Sequence, residues 1–253
     1  MAWIKWLSEV SQDDIEIVGR NCYDLSLLYK ARLPVANGFC ITKGGFLEFL
    51  SKSGIKTKVE NLLSQANVDS KDALNVVSEE IKKLIINYDM IPELKREISE
   101  AYGNMSISSE LHGLVNTGTI SLIKAGRDTP YIMISNSFNE NAIGQNVCLN
   151  SVKGLENILL ALKKCWADSI NGENLYRLLK NDVKEDTIYP GIVIQKMVNS
   201  SRAGVVYLNE DKIVIKAHWG LYGLMDLEKV KPDVYIVEDS ELAIKDIEIN
   251  NQA

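Results

Sequence analysis

Apolar positions recur with a helical period through much of the first hundred residues. In the clearest run they are three or four residues apart, at Leu74, Val77, Ile81 and Leu84. Ser70 precedes this run in a position to cap a helix. Pro92 opens another helical run, as proline does at an early helical position. The pattern predicts a mostly helical first part of the chain.

After the first hundred residues, the spacing of apolar positions no longer follows a single period. Residues 131–135 (YIMIS) predict a buried strand, and residues 155–166 predict an amphipathic helix, whereas residues 113–128 lack a clear period and predict a loop. After Pro190 short apolar runs predict strands, at 191–198, 203–208, 212–217 and 234–237. We therefore expect an α+β protein with a helix-rich first lobe over residues 1–190 and a β-rich second lobe over residues 191–253.

Composition and charge narrow the functional class. The chain has 28 basic and 34 acidic residues, a net charge of −6, and no long block of either sign, which weighs against nucleic-acid binding. The N-terminal residues become acidic before any stretch long enough for a signal peptide, and no window resembles a membrane helix. These features predict a protein that binds neither nucleic acid nor membranes.

The number and spacing of cysteines and histidines indicate whether the chain has disulfides or metal sites. The four cysteines are scattered without CxxC spacing, which is typical of a reducing, cytoplasmic location and weighs against a zinc site or a disulfide framework. Only two histidines are present, far apart, and we expect His218 to be structural. The sequence therefore predicts no metal site. It also lacks the generic motifs GxxxxGK[ST], GxGxxG, HExxH and GxSxG, so none of the functions that these motifs indicate is predicted.

Several segments, in order, carry a specific resemblance. Residues 3–42 (WIKWLSEVSQDDIEIVGRNCYDLSLLYKARLPVANGFCIT) contain counterparts of a GGKGxNL turn and a PVPxGF turn, and residues 142–170 resemble FAGQxxTFLNV and a helix ending in CWAS. GIVIQKMVNSSRAGVVY, IVIKAHWGLYG and KPDVYIV resemble VVVQxMV with SGVxF, IEAxWGLGE and PDxYxV. The chain thus resembles the nucleotide-binding domain of the phosphoenolpyruvate synthase and pyruvate phosphate dikinase family over nearly its whole length.

The resemblance implies an ATP-grasp-like, two-lobed unit that closes on ATP or another adenine nucleotide. In the family, a swivelling domain carries a phosphorylated histidine and a barrel domain binds pyruvate or phosphoenolpyruvate. Neither has room in 253 residues. If this chain transfers phosphate as the family does, a protein partner must carry the phosphohistidine and substrate domains.

The chain departs from the family at its phosphate-handling positions. In GRNCYDL, Asn21 stands at the lysine position, and Arg20 and Cys22 replace glycines. In the family's VRSSAxxED segment the sequence alignment puts Ile134 at the arginine position, keeps Ser135 and replaces the second serine by Asn136. An isoleucine cannot stabilise charge on a transferring phosphoryl group. Two alternatives remain for the adjacent Arg20: it supplies the missing cation, or it is solvated.

Similar departures follow near the end of the chain. In IEAxWGLGE, Lys216 takes the place of the first acidic residue and Leu224 that of the last, which reverses the local charge. In the family a metal-binding segment follows PDxYxV, and this sequence ends soon after its counterpart, so we expect the family's Mg²⁺ ligands to be lacking. Lys216 either pairs with a phosphate or reaches solvent or a neighbouring acid.

The retained scaffold supplies the remaining candidate residues. Gln195, Lys196, Met197 and Val198 lie where the family strand passes the adenine, so their backbone groups could receive a purine; the alternative is an ordinary buried strand. Together with Arg20, Ser135 and Lys216 they form the candidate nucleotide-binding set, and no catalytic residue is assigned. Our hypothesis is a degenerate, catalytically inactive nucleotide-binding-domain homologue, a pseudoenzyme acting as a binding or regulatory module. The alternative is the ATP-binding subunit of a split phosphotransferase.

Overall fold

The computed structural model describes residues 2–64, 66, 70–105, 129–139, 148–180, 189–209, 212–220, 230–238 and 243–250. The predicted loop at residues 113–128 and Leu224 lie outside these ranges. The chain divides into two compact units, Met1–Met197 and Val198–Ala253. The described elements mix helices with antiparallel sheets, so the predicted α+β class is confirmed.

The first unit contains the described helices and a five-stranded sheet. The helices are α1 (Ile15–Val18), α2 (Arg20–Lys30), α3 (Lys43–Lys52), α4 (Ile55–Ser64), α5 (Lys71–Asn87), α6 (Pro92–Asn104), α7 (Leu155–Ser169) and α8 (Gly172–Leu179). The strands are β1 (Ile4–Trp6), β2 (Gly38–Ile41), β3 (Ile132–Ser137), β4 (Cys148–Val152) and β5 (Gly191–Lys196). Ser70 caps α5 as predicted, since its side chain accepts a hydrogen bond from the Ala73 N–H.

The five strands lie in the order β1-β2-β5-β3-β4, and each pairing is antiparallel. One face of the sheet packs against the larger core, where Trp166 stacks on Phe46 with ring centroids 4.9 Å apart. The opposite face packs against α1 and α2 through a smaller cluster that includes Val18, Cys22 and Val193. The sheet therefore separates a helix-covered core from the surface that carries α2.

The second unit is a four-stranded antiparallel sheet in sequential order. Its strands are β6 (Arg202–Asn209), β7 (Lys212–Trp219), β8 (Asp233–Glu238) and β9 (Ala243–Glu248). The predicted lobe boundary lay between residues 190 and 191, whereas the first unit extends to Met197. The difference has a structural reason: β5 pairs with both β2 and β3 at the centre of the first sheet.

None of the helices in the described ranges is long and apolar enough to span a membrane.

Candidate functional site

The first turn of α2 lies against the end of β3. The Arg20 N–H donates to the Phe138 carbonyl at 2.8 Å, and the Cys22 N–H donates to Ser137 Oγ at 2.9 Å. The first N–H groups of a helix lack partners within the helix and form a ready site for an anion. Here two of these N–H donors already have acceptors, Ser137 at the end of β3 and Phe138 directly after it. A phosphate at this point would have to displace both hydrogen bonds.

Gly19 allows this close approach. It has φ +80°, and a Cβ at this position would lie 2.1 Å from the Ser137 carbonyl oxygen. Both the left-handed backbone and the contact require glycine. The first glycine of the GRNCYDL segment is thus explained by contact with β3.

The Arg20 guanidinium faces its own helix. Its Nε donates to the Asp24 carboxylate oxygens at 2.8 and 3.0 Å, and its charge lies 6.0 Å from the centre of the Tyr23 ring. The side chain is about half exposed. Arg20 is therefore placed beside the α2 N-terminus but is paired with Asp24 along the helix surface.

The pairing partners of β3 show which face of the sheet each of its residues occupies. Ile134 pairs with Ile194, and both are buried in the helix-covered core. Ser135 pairs with Val193, which packs in the α2 cluster, and directly opposed residues of antiparallel strands share a face. An arginine at position 134 would point away from α2.

The alignment that puts Ile134 at the family's arginine position therefore places that position on the side of β3 away from α2. On the α2 side of the same strand lie Ser135 and Ser137. The Ser137 hydroxyl accepts a hydrogen bond from the Cys22 N–H. The assignment of the phosphate-binding positions from the sequence stays a prediction.

Asn136 is a buried polar residue at the same end of the sheet. It is 1% exposed, and neither its Oδ1 nor its Nδ2 has a hydrogen-bond partner. It pairs with Ile192, which belongs to the helix-covered core, so its amide lies on the side opposite α2. Such an unsatisfied buried amide is costly, and it cannot serve a ligand held at the α2 N-terminus.

Two backbone N–H groups at the end of β5, among the residues predicted to receive a purine, already donate hydrogen bonds within the protein. The Lys196 N–H donates to the Asn37 carbonyl at 2.8 Å, and the Met197 N–H donates to the Tyr131 carbonyl at 2.9 Å. The buried Gln195 side chain donates to the Ala36 carbonyl at 3.2 Å. A purine edge that needs an N–H donor would have to find it beyond Met197.

The remaining candidate residues belong to the second unit. Val198 is its first residue and is exposed. Lys216 is exposed on β7, with its ammonium 5.6 Å from the centre of the Tyr207 ring. His218 Nδ1 lies 2.8 Å from the Trp219 carbonyl oxygen, and its Nε2 is buried without a partner. Val198, Lys216 and His218 therefore all belong to the second unit.

The first unit brings Arg20, Ser135 and Gln195 to the α2 side of one sheet, because Gln195 shares the face of Ser135 by strand alternation. Sequence reasoning missed Ser137 and Phe138 as the groups that bind the α2 N-terminus. Alternation along β3, with serines two positions apart, is the signal that would have indicated Ser137. In the ranges that the structure describes, no cluster of three or more His, Cys, Asp or Glu side chains could hold a metal ion.

Behind α2 lies a pair of buried cysteines, Cys22 and Cys40. Burial raises the pKa of the Cys40 thiol, and its contact with Cys22 raises it further. Both residues belong to the smaller core cluster. The Cys22 side chain, at a position where the resemblance implies a glycine, is therefore buried in this cluster.

The sequence is similar to that of known proteins over nearly the whole chain. Residues 15–253 match the family described as "Pyruvate phosphate dikinase, AMP/ATP-binding domain". A probable phosphoenolpyruvate synthase of Staphylothermus marinus is 27% identical over 99% of this chain and 30% of its own length. The probable phosphoenolpyruvate synthase of Methanocaldococcus jannaschii is 29% identical over 97% of this chain and 20% of its own length, and the phosphoenolpyruvate synthase of Aeropyrum pernix is 28% identical over 98% and 30%.

The chain spans less than a third of the length of these three relatives. The match covers both compact units and includes the GRNCYDL turn, β3, β5 and β7. The chain belongs to the pyruvate phosphate dikinase AMP/ATP-binding domain family.

Proposed function

We propose that this chain is an ATP-grasp-like adenine-nucleotide-binding homologue that has lost phosphoryl transfer and acts as a cytoplasmic binding or regulatory module. The observation that carries the proposal is the α2 N-terminus. Two of its N–H groups bind Ser137 and Phe138, and the adjacent Arg20 binds Asp24. Family membership supports retention of the adenine-binding scaffold.

The charge pattern supports the loss of phosphoryl transfer. Catalysis of this transfer depends on cations and metal ions placed against the developing charge. Asn21 and Ile134 stand where the resemblance implies a lysine and an arginine, and Lys216 stands where it implies a carboxylate. These side chains do not fit a Mg²⁺-bridged triphosphate held in the family's manner.

Lys216 is the cation we propose for a residual contact with the nucleotide phosphates. Its neighbours across β7 are Val205 and Val234, so strand pairing places no carboxylate directly opposite it in the described sheet. Lys212 is an exposed lysine on the same side of the same strand. It is a matched control for the removal of one positive charge.

Calorimetric titration with ATP, ADP and adenosine, each with and without Mg²⁺, tests the proposal. We expect adenine nucleotides to bind with little dependence on Mg²⁺, and a saturating nucleotide at 100 times its Kd to stabilise the fold by about 2.7 kcal/mol. We expect Lys216→Ala to weaken ATP binding by about five- to tenfold and adenosine binding much less, while Lys212→Ala changes neither.

The alternative function has its own assay outcome. Robust Mg²⁺-dependent ATP hydrolysis, or transfer of labelled phosphate from ATP to a histidine-bearing partner chain, would refute the inactive reading and support the ATP-binding subunit of a split phosphotransferase. If no nucleotide binds and none shifts the melting temperature, the adenine-binding part of the proposal is wrong.

A further inference from the structure

The sheet of the second unit has one side on which the paired residues are mostly apolar. Strand alternation and register place eight aliphatic and aromatic residues on this side of the four strands: Val206, Leu208, Ile213, Ile215, Tyr235, Val237, Ile244 and Ile247. We call this set the apolar face. On the other side of the sheet, apolar residues alternate with charged ones: Val205, Tyr207, Val214, Val234 and Ile236 share that side with Lys212, Lys216, Glu238, Asp246 and Glu248.

Much of the apolar face is in contact with solvent. Its outer strands β6 and β9 are the most open, with exposed fractions of 79% for Leu208, 59% for Val206, 58% for Ile244 and 47% for Ile247. Trp219 extends the same side at the end of β7 and is also exposed. A continuous apolar surface of this kind on a sheet typically marks an interaction site.

We propose that the apolar face is a self-association surface on which a second copy of this chain packs, sheet against sheet. The area is sufficient. The exposed parts of the outer aliphatic side chains and of Trp219 present roughly 400 Å² per copy. With the half-buried Ile213, Ile215 and Tyr235, two copies would bury about 1,000 Å², the size at which a specific interface begins.

Charge on the apolar side of the sheet selects the arrangement. Arg202 and Asp233 are the charged residues that the register of the described strands places on this side, and both lie toward the Trp219 end. A two-fold axis parallel to the strands keeps these ends together and brings Arg202 of one copy to the end that carries Asp233 of the other. Within one copy the Arg202 guanidinium lies 4.2 Å from the centre of the Trp219 ring, and Asp233 accepts a hydrogen bond from the Asn250 N–H at 2.7 Å. An axis across the strands would instead lay both charges over the aliphatic end of the other copy, away from its opposite charge.

Face-to-face packing also suits the geometry of a sheet. Two twisted sheets pack about 10 Å apart with interdigitating side chains, as in a β-sandwich. In an isologous pair, β6 of one copy lies over β9 of the other, so the four most exposed aliphatic residues meet one another. The interface thus covers the residues that are most exposed in the single chain.

Sedimentation of the full chain over a concentration series, together with two variants of one strand, tests the inference. Leu208→Glu puts a charge on the apolar face, whereas Tyr207→Glu puts it at the neighbouring position on the opposite face, where the side chain is also exposed. We expect the wild-type chain to approach twice its 28.3 kDa mass as concentration rises. We expect Leu208→Glu to raise the dimer Kd at least about tenfold and Tyr207→Glu less than about twofold.

A charge exchange tests the axis. We expect Arg202→Asp alone to weaken the dimer, and the double variant Arg202→Asp with Asp233→Arg to recover most of the loss. Circular dichroism checks that each variant is folded, and Ile244→Glu replaces Leu208→Glu if the latter unfolds. A wild-type chain that stays monomeric at all concentrations, or a dimer that the folded apolar-face variant leaves intact, overturns the proposal. Failure of the charge exchange to restore the dimer overturns the axis.

Discussion

A charge introduced at Ile134 should strongly destabilise the fold, and the structure predicts a large difference in stability loss between this position and Ser135. Ile134 is fully buried in the helix-covered core, whereas Ser135 is half-buried on the α2 side. Ile134→Arg removes about 2 to 3 kcal/mol of apolar burial. It also desolvates an unpaired guanidinium, at a further cost of several kcal/mol.

The expected total for Ile134→Arg is at least about 5 kcal/mol, which approaches the whole stability of many domains. Ser135→Arg has a route to solvent for its charge, and we expect it to cost about 1 kcal/mol. Urea denaturation followed by far-ultraviolet circular dichroism measures both, with Ser135→Arg as the matched control. A loss below about 2 kcal/mol for Ile134→Arg, or equal losses for the two variants, would refute the assigned faces of β3.

Three further perturbations follow from local contacts. We expect Gly19→Ala to cost at least about 3 kcal/mol in denaturation experiments, because the new Cβ would meet the Ser137 carbonyl and the backbone is left-handed. Burial raises the pKa of Asp14, but hydrogen bonds from Lys5 and Ser11 outweigh it and hold the pKa below its usual value. This contribution to stability is present above about pH 4 and is lost as pH falls through the folded-state pKa, so Asp14→Asn should flatten the acid side of a stability–pH curve. We expect Asn136→Val to raise the melting temperature, because it removes two unsatisfied buried polar atoms.

Each of these has a control. Gly54 also has positive φ, but a Cβ there would meet nothing within 4 Å, so Gly54→Ala should cost only about 1 kcal/mol. For the pH series the control is Asp24→Asn, which removes one carboxylate from an exposed pair with Arg20, where an ion pair contributes little to stability. A stability loss on Asn136→Val would indicate that its amide is satisfied, contrary to the structure.

Local chemistry explains why much of the fold follows from the sequence. The periodic run after Ser70 becomes α5, the Pro92 run becomes α6, and YIMIS lies within the β3 region, because apolar spacing and capping act over a few residues. The strands β6, β7 and β8 follow for the same reason, whereas β9 was not predicted from the sequence. The family could also be identified from its ordered segments.

Tertiary pairing decided the rest. The sequence by itself, through its resemblance to the family, predicts that Asn21 and Ile134 stand at a lysine and an arginine position, since residue identity is sufficient for that prediction. Only the structure assigned β5 to the first unit, because its partners β2 and β3 are far away in sequence. Only the structure turned Ser135 toward α2 and Ile134 away from it, since the side of a strand that is buried depends on what packs against each face. The same holds for Ser137, whose hydroxyl meets Cys22 across 115 residues of chain and binds an N–H group at the start of α2.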